Sequence, residues 1–258
     1  MNRIIPADDA VSRVNHTDVV RELLIRQLTF GKYMPGHSFK LREMMQDPDF
    51  KGLSQTPIRE ALLQLVSQNI LMGQRGFSVR VPIPSVEHLT EVREIRTQLE
   101  VMAALKIIDN WTAEGIDRLE KLHQGMLDSK DQGDVQQLLF YNAQFHMALC
   151  GMEKKSYLQT MIQTLWAITG PSIGFLYDKG LPKHFDDDHP HVEIIKALKV
   201  KDRARVEAAL VHDLNSSGNK ILKVLQEKFD PEAPAVRPFE KIELVRNRQR
   251  TERKIQPP

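Results

Sequence analysis

Apolar side chains recur every three or four residues along most of this chain, and the interruptions divide it into elements. Val20, Leu23, Leu24 and Leu28 share one helical face between Thr17, a candidate N-cap, and Gly31, which predicts a helix over 17–31. Tyr33-Met34-Pro35-Gly36 reads as a turn. A short helix is expected over about 40–46, ended by Asp47-Pro48-Asp49. Ser54 can cap a third helix with Pro57 in its first turn, where a missing N–H does no harm. Ile58, Ala61, Leu62 and Leu65 give that helix its apolar face, and Asn69 stands where a left-handed residue would close it. Ile70-Leu71-Met72, the turn Gly73-Gln74-Arg75-Gly76 and Phe77-Ser78-Val79-Arg80-Val81 then read as a hairpin. Three helices and a two-stranded wing make a winged helix-turn-helix.

Pro82-Ile83-Pro84 forms a short stiff linker, through which any coupling between the two halves is expected to pass. Beyond it the helical period continues. Leu89, Val92, Ile95, Leu99 and Met102 make one stripe, and similar stripes run through 116–126, 135–149, 157–168, 192–198 and 203–225. About six helices without a strand or a glycine-rich phosphate loop predict an antiparallel helical bundle. The expected organisation is an N-terminal extension (1–16), a winged helix-turn-helix (17–82), an all-α bundle (83–228) and a proline- and charge-rich, poorly ordered tail (229–258). The fold class is mainly α.

Composition narrows the function. The chain has 258 residues, 41% of them hydrophobic, with no apolar run long enough for a membrane helix and no apolar stretch resembling a secretory signal near the N-terminus. Cys150 is the single cysteine, so intrachain disulfides and cysteine-rich zinc sites are excluded. A cytoplasmic protein is expected. Between 17 and 82 nine Lys/Arg face six Asp/Glu, whereas between 83 and 228 eighteen face 21. A basic front on an acidic body suits a head that meets nucleic acid.

Histidine carries the second chemical signal. Asn142 and His146 stand at i and i+4 on one helix, hence on one face. His191 opens a later stripe, and His212 lies 21 residues beyond it on the next helix. Antiparallel packing can gather these four, and three imidazoles with one side-chain oxygen suit zinc or nickel, or else manganese or iron. His184, Asp186, Asp187, Asp188 and His189 form another cluster. It reads either as a solvated loop or, through His189, as a contributor to the same site. No general base is placed as in a His-Glu-x-x-His helix, so an enzyme is not expected, and a metal-dependent hydrolase is the remote alternative.

Several motifs resemble GntR-type bacterial transcription regulators. They are Gly31-Lys32-Tyr33-Met34-Pro35-Gly36, Leu53-Ser54-Gln55-Thr56-Pro57-Ile58-Arg59-Glu60-Ala61-Leu62 and Arg75-Gly76-Phe77-Ser78-Val79. The resemblance implies DNA contacts from Arg42, from Ser54, Gln55, Thr56 and Arg59 on the recognition helix, and from Arg75 and Gly76 at the wing tip. Arg59 suits a bidentate pairing with guanine. Alternatively, Thr56 and Arg59 merely cap and solubilise the helix. Two departures bear on operator choice: Gln55 replaces a family arginine, and the 47–52 connection is longer than usual.

Residues 86–228 are similar to the FCD effector-binding domain, which names the FadR-like branch. The matching runs are Asn142-Ala143-Gln144-Phe145-His146-Met147-Ala148-Leu149, His191 to Leu198, and Ala208-Ala209-Leu210-Val211-His212. The resemblance implies a divalent metal on the floor of a ligand cavity, with Asn142 replacing the usual aspartate and leaving the site one negative charge short. Arg93 and Arg96 are candidate partners for a small carboxylate effector. Arg96 can equally pair internally with Glu100. A homodimer on a near-palindromic DNA operator, tuned by that effector, is the expected mode of action. An effector-binding module with impaired DNA binding is the alternative.

Overall fold

In the computed structural model, residues 15–74, 78–151, 156–177 and 189–228 are described. The expected wing tip, Arg75 and Gly76, lies outside them, as do His184, Asp186, Asp187, Asp188 and the tail from 229 on.

The head is built from α1 (His16–Thr29), β1 (Ser38–Phe39), α2 (Leu41–Met44), α3 (Gln55–Ser67), β2 (Met72–Gln74) and β3 (Ser78–Arg80). Asn15, not Thr17, caps α1: its side chain accepts the Thr17 N–H, while the Thr17 hydroxyl donates to Glu60 on α3 at 2.9 Å. Asn69 closes α3 at φ 58°, as expected. The wing has three strands rather than two. Ser38–Phe39 pairs antiparallel with β3, in the order β1-β3-β2, and puts Phe39 into the core.

The long 47–52 connection is not a loose insertion. It carries a 3-10 turn over Pro48–Phe50 whose Phe50 ring is 1% exposed among Leu24, Leu28 and Leu65 of the head core. Asp49 holds the turn from outside, accepting from Gln27 and Lys32 at 2.6 Å each.

Six helices make the body: α4 (Val86–Ile107), α5 (Ala113–Asp131), α6 (Val135–Leu149), α7 (Tyr157–Ile173), α8 (Pro190–Lys199) and α9 (Arg203–Lys228). One apolar cluster lies among α4, α5, α6, α8 and α9, a second among α4, α6, α7 and α9. Helix α4 packs on both α7 and α9 and so forms the spine of the bundle.

Head and body also meet directly, not only through the Pro82–Pro84 linker. Helix α1 lies along α7, and Ala167 of α7 belongs to the head's core cluster. The approach is close because α7 has no side chain at Gly170. A Cβ there would run into the carbonyl oxygen of Leu28 and stand 2.7 Å from that of Thr29. Phe30 meets Phe140 of α6 edge-on, with ring centroids 4.8 Å apart.

Two outcomes are expected from this packing. Phe50→Ala should cost about 3–5 kcal/mol, the range for removing a buried aromatic ring, read as a lowered midpoint in denaturant. The same loss from an exposed control such as Lys51→Ala would refute an anchoring role. Gly170→Ala should cost about 1–3 kcal/mol despite alanine's better helix propensity, because backbone carbonyls cannot swing aside as a side chain can. A neutral or stabilising result would show that α1 and α7 are free to separate.

Candidate functional site

A cavity of about 490 Å³ opens in the body between α4, α6, α7 and α9. Its wall includes Arg93, Arg96, Asn142, His146, His189 and Asp213. Each residue arrives by helical phase. On α9, Val206, Ala209, Leu210, Asp213 and Leu214 share the buried face, so Asp213 replaces a core side chain with a carboxylate at the cavity floor.

That phase bears on one expectation, a metal ligand at His212. His212 is one residue, hence roughly 100° of rotation, away from Asp213. It is exposed, contributes to the cavity wall, and belongs to neither group of clustered donors. Asp213 stands in its place beside His146 and His191. It also supplies the negative charge that Asn142, half-buried on the cavity wall, does not.

His146 is the centre of a line of buried charges. Its Nε2 lies 3.0 Å from Asp213 Oδ2 and its Nδ1 lies 3.1 Å from Glu100 Oε2. Burial alone would lower its pKa. The hydrogen bonds to Asp213 and Glu100 and the charges of both carboxylates overcome that and raise it to about 9, favouring the imidazolium that donates at both nitrogens. Burial pushes both carboxyls up, but Arg96 and then His146 hold Glu100, and His146 and then His191 hold Asp213, below the usual range.

Glu100 is 0% exposed and is met from its other side by Arg96, whose Nε donates at 2.5 Å. Arg96 also donates from Nη1 to the Thr169 hydroxyl on α7 at 2.9 Å, and its guanidinium lies 3.9 Å over the Trp166 ring. Of its two expected roles, the structure therefore contains the internal pair with Glu100. Arg93, half-buried at the cavity wall, bonds Asn219 at 2.7 Å through Nη1, while its buried Nε has no hydrogen-bond partner among the described residues.

His191 is 0% exposed and stacks on Phe145, with centroids 3.8 Å apart and planes 6° from parallel. Its Nε2 lies 3.8 Å from Asp213 Oδ2, and neither ring nitrogen makes a hydrogen bond among the described residues. Burial depresses its pKa far below that of a free histidine, so it is neutral. A buried neutral imidazole with no hydrogen-bond partner is costly, and a cation shared with the neighbouring carboxylate would offset that cost. His146, His191 and Asp213 place their donor atoms within 4.8 Å of one another, a set that fits a borderline divalent ion.

His189 caps α8, its Nδ1 accepting the His191 backbone N–H at 3.2 Å, and burial lowers its pKa to about 4. Beside it stands His123 of α5, which patterning reasoning passed over. The signal was there: His123 sits in phase with Ile116, Leu119 and Met126, a polar residue on a core face.

In the head, Ser54, Gln55, Thr56 and Arg59 are all exposed on the first turns of α3, opposite Ile58, Leu62 and Leu65. Arg42 is exposed on α2. Ser54 is the N-cap residue, but its side chain makes no capping hydrogen bond.

The chain resembles known proteins over most of its length. Residues 91–216 match the FCD domain. The HTH-type transcriptional regulator McbR of Escherichia coli K12 is 30% identical over 203 residues, spanning 77% of this chain and 89% of its own. A solved structure of E. coli McbR/YncC aligns with a TM-score of 0.74 at 28% identity, covering 81% of this chain and 98% of that one. A GntR transcriptional regulator from Rhodococcus sp. RHA1 shares the fold, with a TM-score of 0.64 at 18% identity over 80% and 97% of the two chains. These relatives are regulators and not enzymes. With a winged helix-turn-helix ahead of an FCD bundle, this chain belongs to the GntR family of transcriptional regulators.

Proposed function

We propose that this regulator binds a near-palindromic operator as a homodimer, and that a small carboxylate and a divalent metal ion in the body cavity set its affinity for that operator. Two copies would present two α3 helices to two half-sites. Arg59 and Thr56 would read base edges, with Arg42, Ser54, Gln55 and the wing tip at Arg75 and Gly76 completing the contact. Gln55 removes one positive charge from this surface, which bears on sequence preference.

His146, on releasing its Nε2 proton, would hold the metal with His191 and Asp213, with Asn142 close enough in sequence phase to add its amide oxygen and His212 outside the set. A bound cation supplies a Lewis-acidic anchor for an anion. Glu100 would keep the His146 ring oriented through Nδ1, as a carboxylate behind a metal-bound histidine commonly does. Arg93 is the side chain that would meet the carboxylate. Arg96 lines the wall but has Nε and Nη1 engaged.

One observation carries the coupling of cavity to DNA. From Asp213 a continuous run of contacts passes through His146, Glu100 and Arg96 to Thr169, and the next residue, Gly170, abuts the backbone of α1 in the head. A ligand that repositions Arg96 or α7 therefore moves the support of the DNA-binding unit, and the coupling is energetic because the two ligands bias one interface.

The primary test is a titration against labelled DNA from upstream of the protein's own gene, with random DNA as competitor and at several salt concentrations. Specific, salt-sensitive binding that shifts on adding small carboxylates or removing metal is expected. Operator affinity that no ligand or chelator changes would refute the coupling, and binding no tighter than to random DNA would leave an effector-binding module with an impaired head. Arg59→Ala should weaken operator binding by about 1–3 kcal/mol per half-site while changing random-DNA binding much less. Equal losses on both would reduce Arg59 to a phosphate contact.

Metal should also stabilise the fold. An ion present at 100 times its Kd adds about 2.7 kcal/mol, or several degrees in Tm for a body of this size. Zinc or nickel added to chelator-stripped protein is expected to raise Tm, and His191→Ala should abolish the increment. An increment that persists in His191→Ala would place the metal elsewhere.

A further inference from the structure

We propose that His123, His189 and His191 form a second seat for a divalent transition-metal ion, alternative to the His146–His191–Asp213 seat because the two share His191. The inference goes beyond the proposed function and needs neither DNA binding nor an organic effector.

The three rings converge from two helices and one helix cap. His123 comes from α5, His189 caps α8, and His191 lies in the first turn of α8. Ring centroids are 5.4 Å apart for His123–His189 and for His123–His191, and 4.4 Å for His189–His191. Each offers a nitrogen within 4.8 Å of the other two. A tetrahedral ion with bonds of about 2.0–2.1 Å needs donor spacings of roughly 3.4 Å, so side-chain adjustments of about an ångström close the set.

A further observation favours an ion over plain packing. The buried Nδ1 of His123 has no hydrogen-bond partner among the described residues, and neither has either nitrogen of the fully buried His191. Three orphaned polar atoms at one place are an unusual cost for a core to carry, and a cation could satisfy two of them, one on each ring. The His189 Nδ1 accepts the His191 backbone N–H, so His189 joins the seat by giving up that capping bond and passing its lone pair to the ion. Three imidazoles and no carboxylate make a softer donor set than the first seat, one that suits cobalt, nickel, copper or zinc over manganese or magnesium.

Sharing makes the seats exclusive. A neutral imidazole has one lone pair, so His191 serves His146 and Asp213 or serves His123 and His189, but not both. The ion then has two positions, one with an acidic ligand facing the cavity and one displaced toward α5.

The test is a Co²⁺ titration of the full chain, followed by its visible absorption and by bound metal after dialysis. Wild type, Asp213→Asn, His123→Phe, His189→Asn and the two doubles with Asp213→Asn are compared, and circular dichroism checks that each is folded. His189→Asn keeps a helix-capping side chain. Wild type should bind one Co²⁺ per chain. Asp213→Asn should still bind one, with an altered spectrum, and each double should bind at least tenfold more weakly than Asp213→Asn alone. The proposal is overturned if Asp213→Asn binds no Co²⁺, if neither double is weaker than Asp213→Asn, or if wild type holds two ions at once. Failure of the first seat looks different: Asp213→Asn would match wild type, while His123→Phe alone would abolish binding.

Discussion

Glu100 is a fully buried carboxylate, and a charge in that position has to be met from every side. Removing such an ion from water costs several kcal/mol, which good geometry and complete hydrogen bonding must offset. Here Arg96 meets it from one turn back on α4 and His146 meets it from α6. Each of those partners then needs its own: Arg96 finds Thr169 and the Trp166 face on α7, and His146 finds Asp213 on α9. Four helices are thereby fixed in relative rotation by a requirement of charge neutrality and not by apolar packing alone. The cavity lies where these side chains converge, so its chemistry and its rigidity have one origin.

The same network reaches as far as the head. Helix α7 receives Arg96 on one side at Thr169 and presents bare backbone to α1 at Gly170. Close backbone contact leaves little compliance between the two, since densely packed interfaces shift as units. The stiff proline linker remains a tether, but the α1–α7 contact is the surface on which the head rests. The 47–52 connection works in the same direction. With Phe50 in the core and Asp49 tied to α1, the extra length braces the head instead of loosening it.

At the cavity floor, the acid comes from α9 and not from α6. Asn142 on α6 is uncharged, and Asp213 on α9 brings a carboxylate to the same cavity. The site so formed pairs a carboxylate with two imidazoles, and a further pair of imidazoles crowds behind His191. The proposed metal seat, the cavity and the α1–α7 contact thus lie within one stack of side chains.

Much of this was legible in the sequence. The 3.6-residue period located all nine helices described and placed Asn142, His146 and His191 on faces that meet at the cavity or its buried edge, because amphipathic helices write their buried face into local order. The failures share a cause. Ser38–Phe39 becomes a strand only because β3 lies beside it, Asp213 and His212 are separated by a rotation that only packing on α4 and α8 fixes, and His123 meets His189 across a gap of 66 positions. Gly170 reads as an ordinary weak point in a helix until α1 is placed against it. Local periodicity determined the elements and the class of protein. Tertiary packing alone decided which donors share a site and where the body touches the head, since those depend on the angle and distance between helices that no segment encodes by itself.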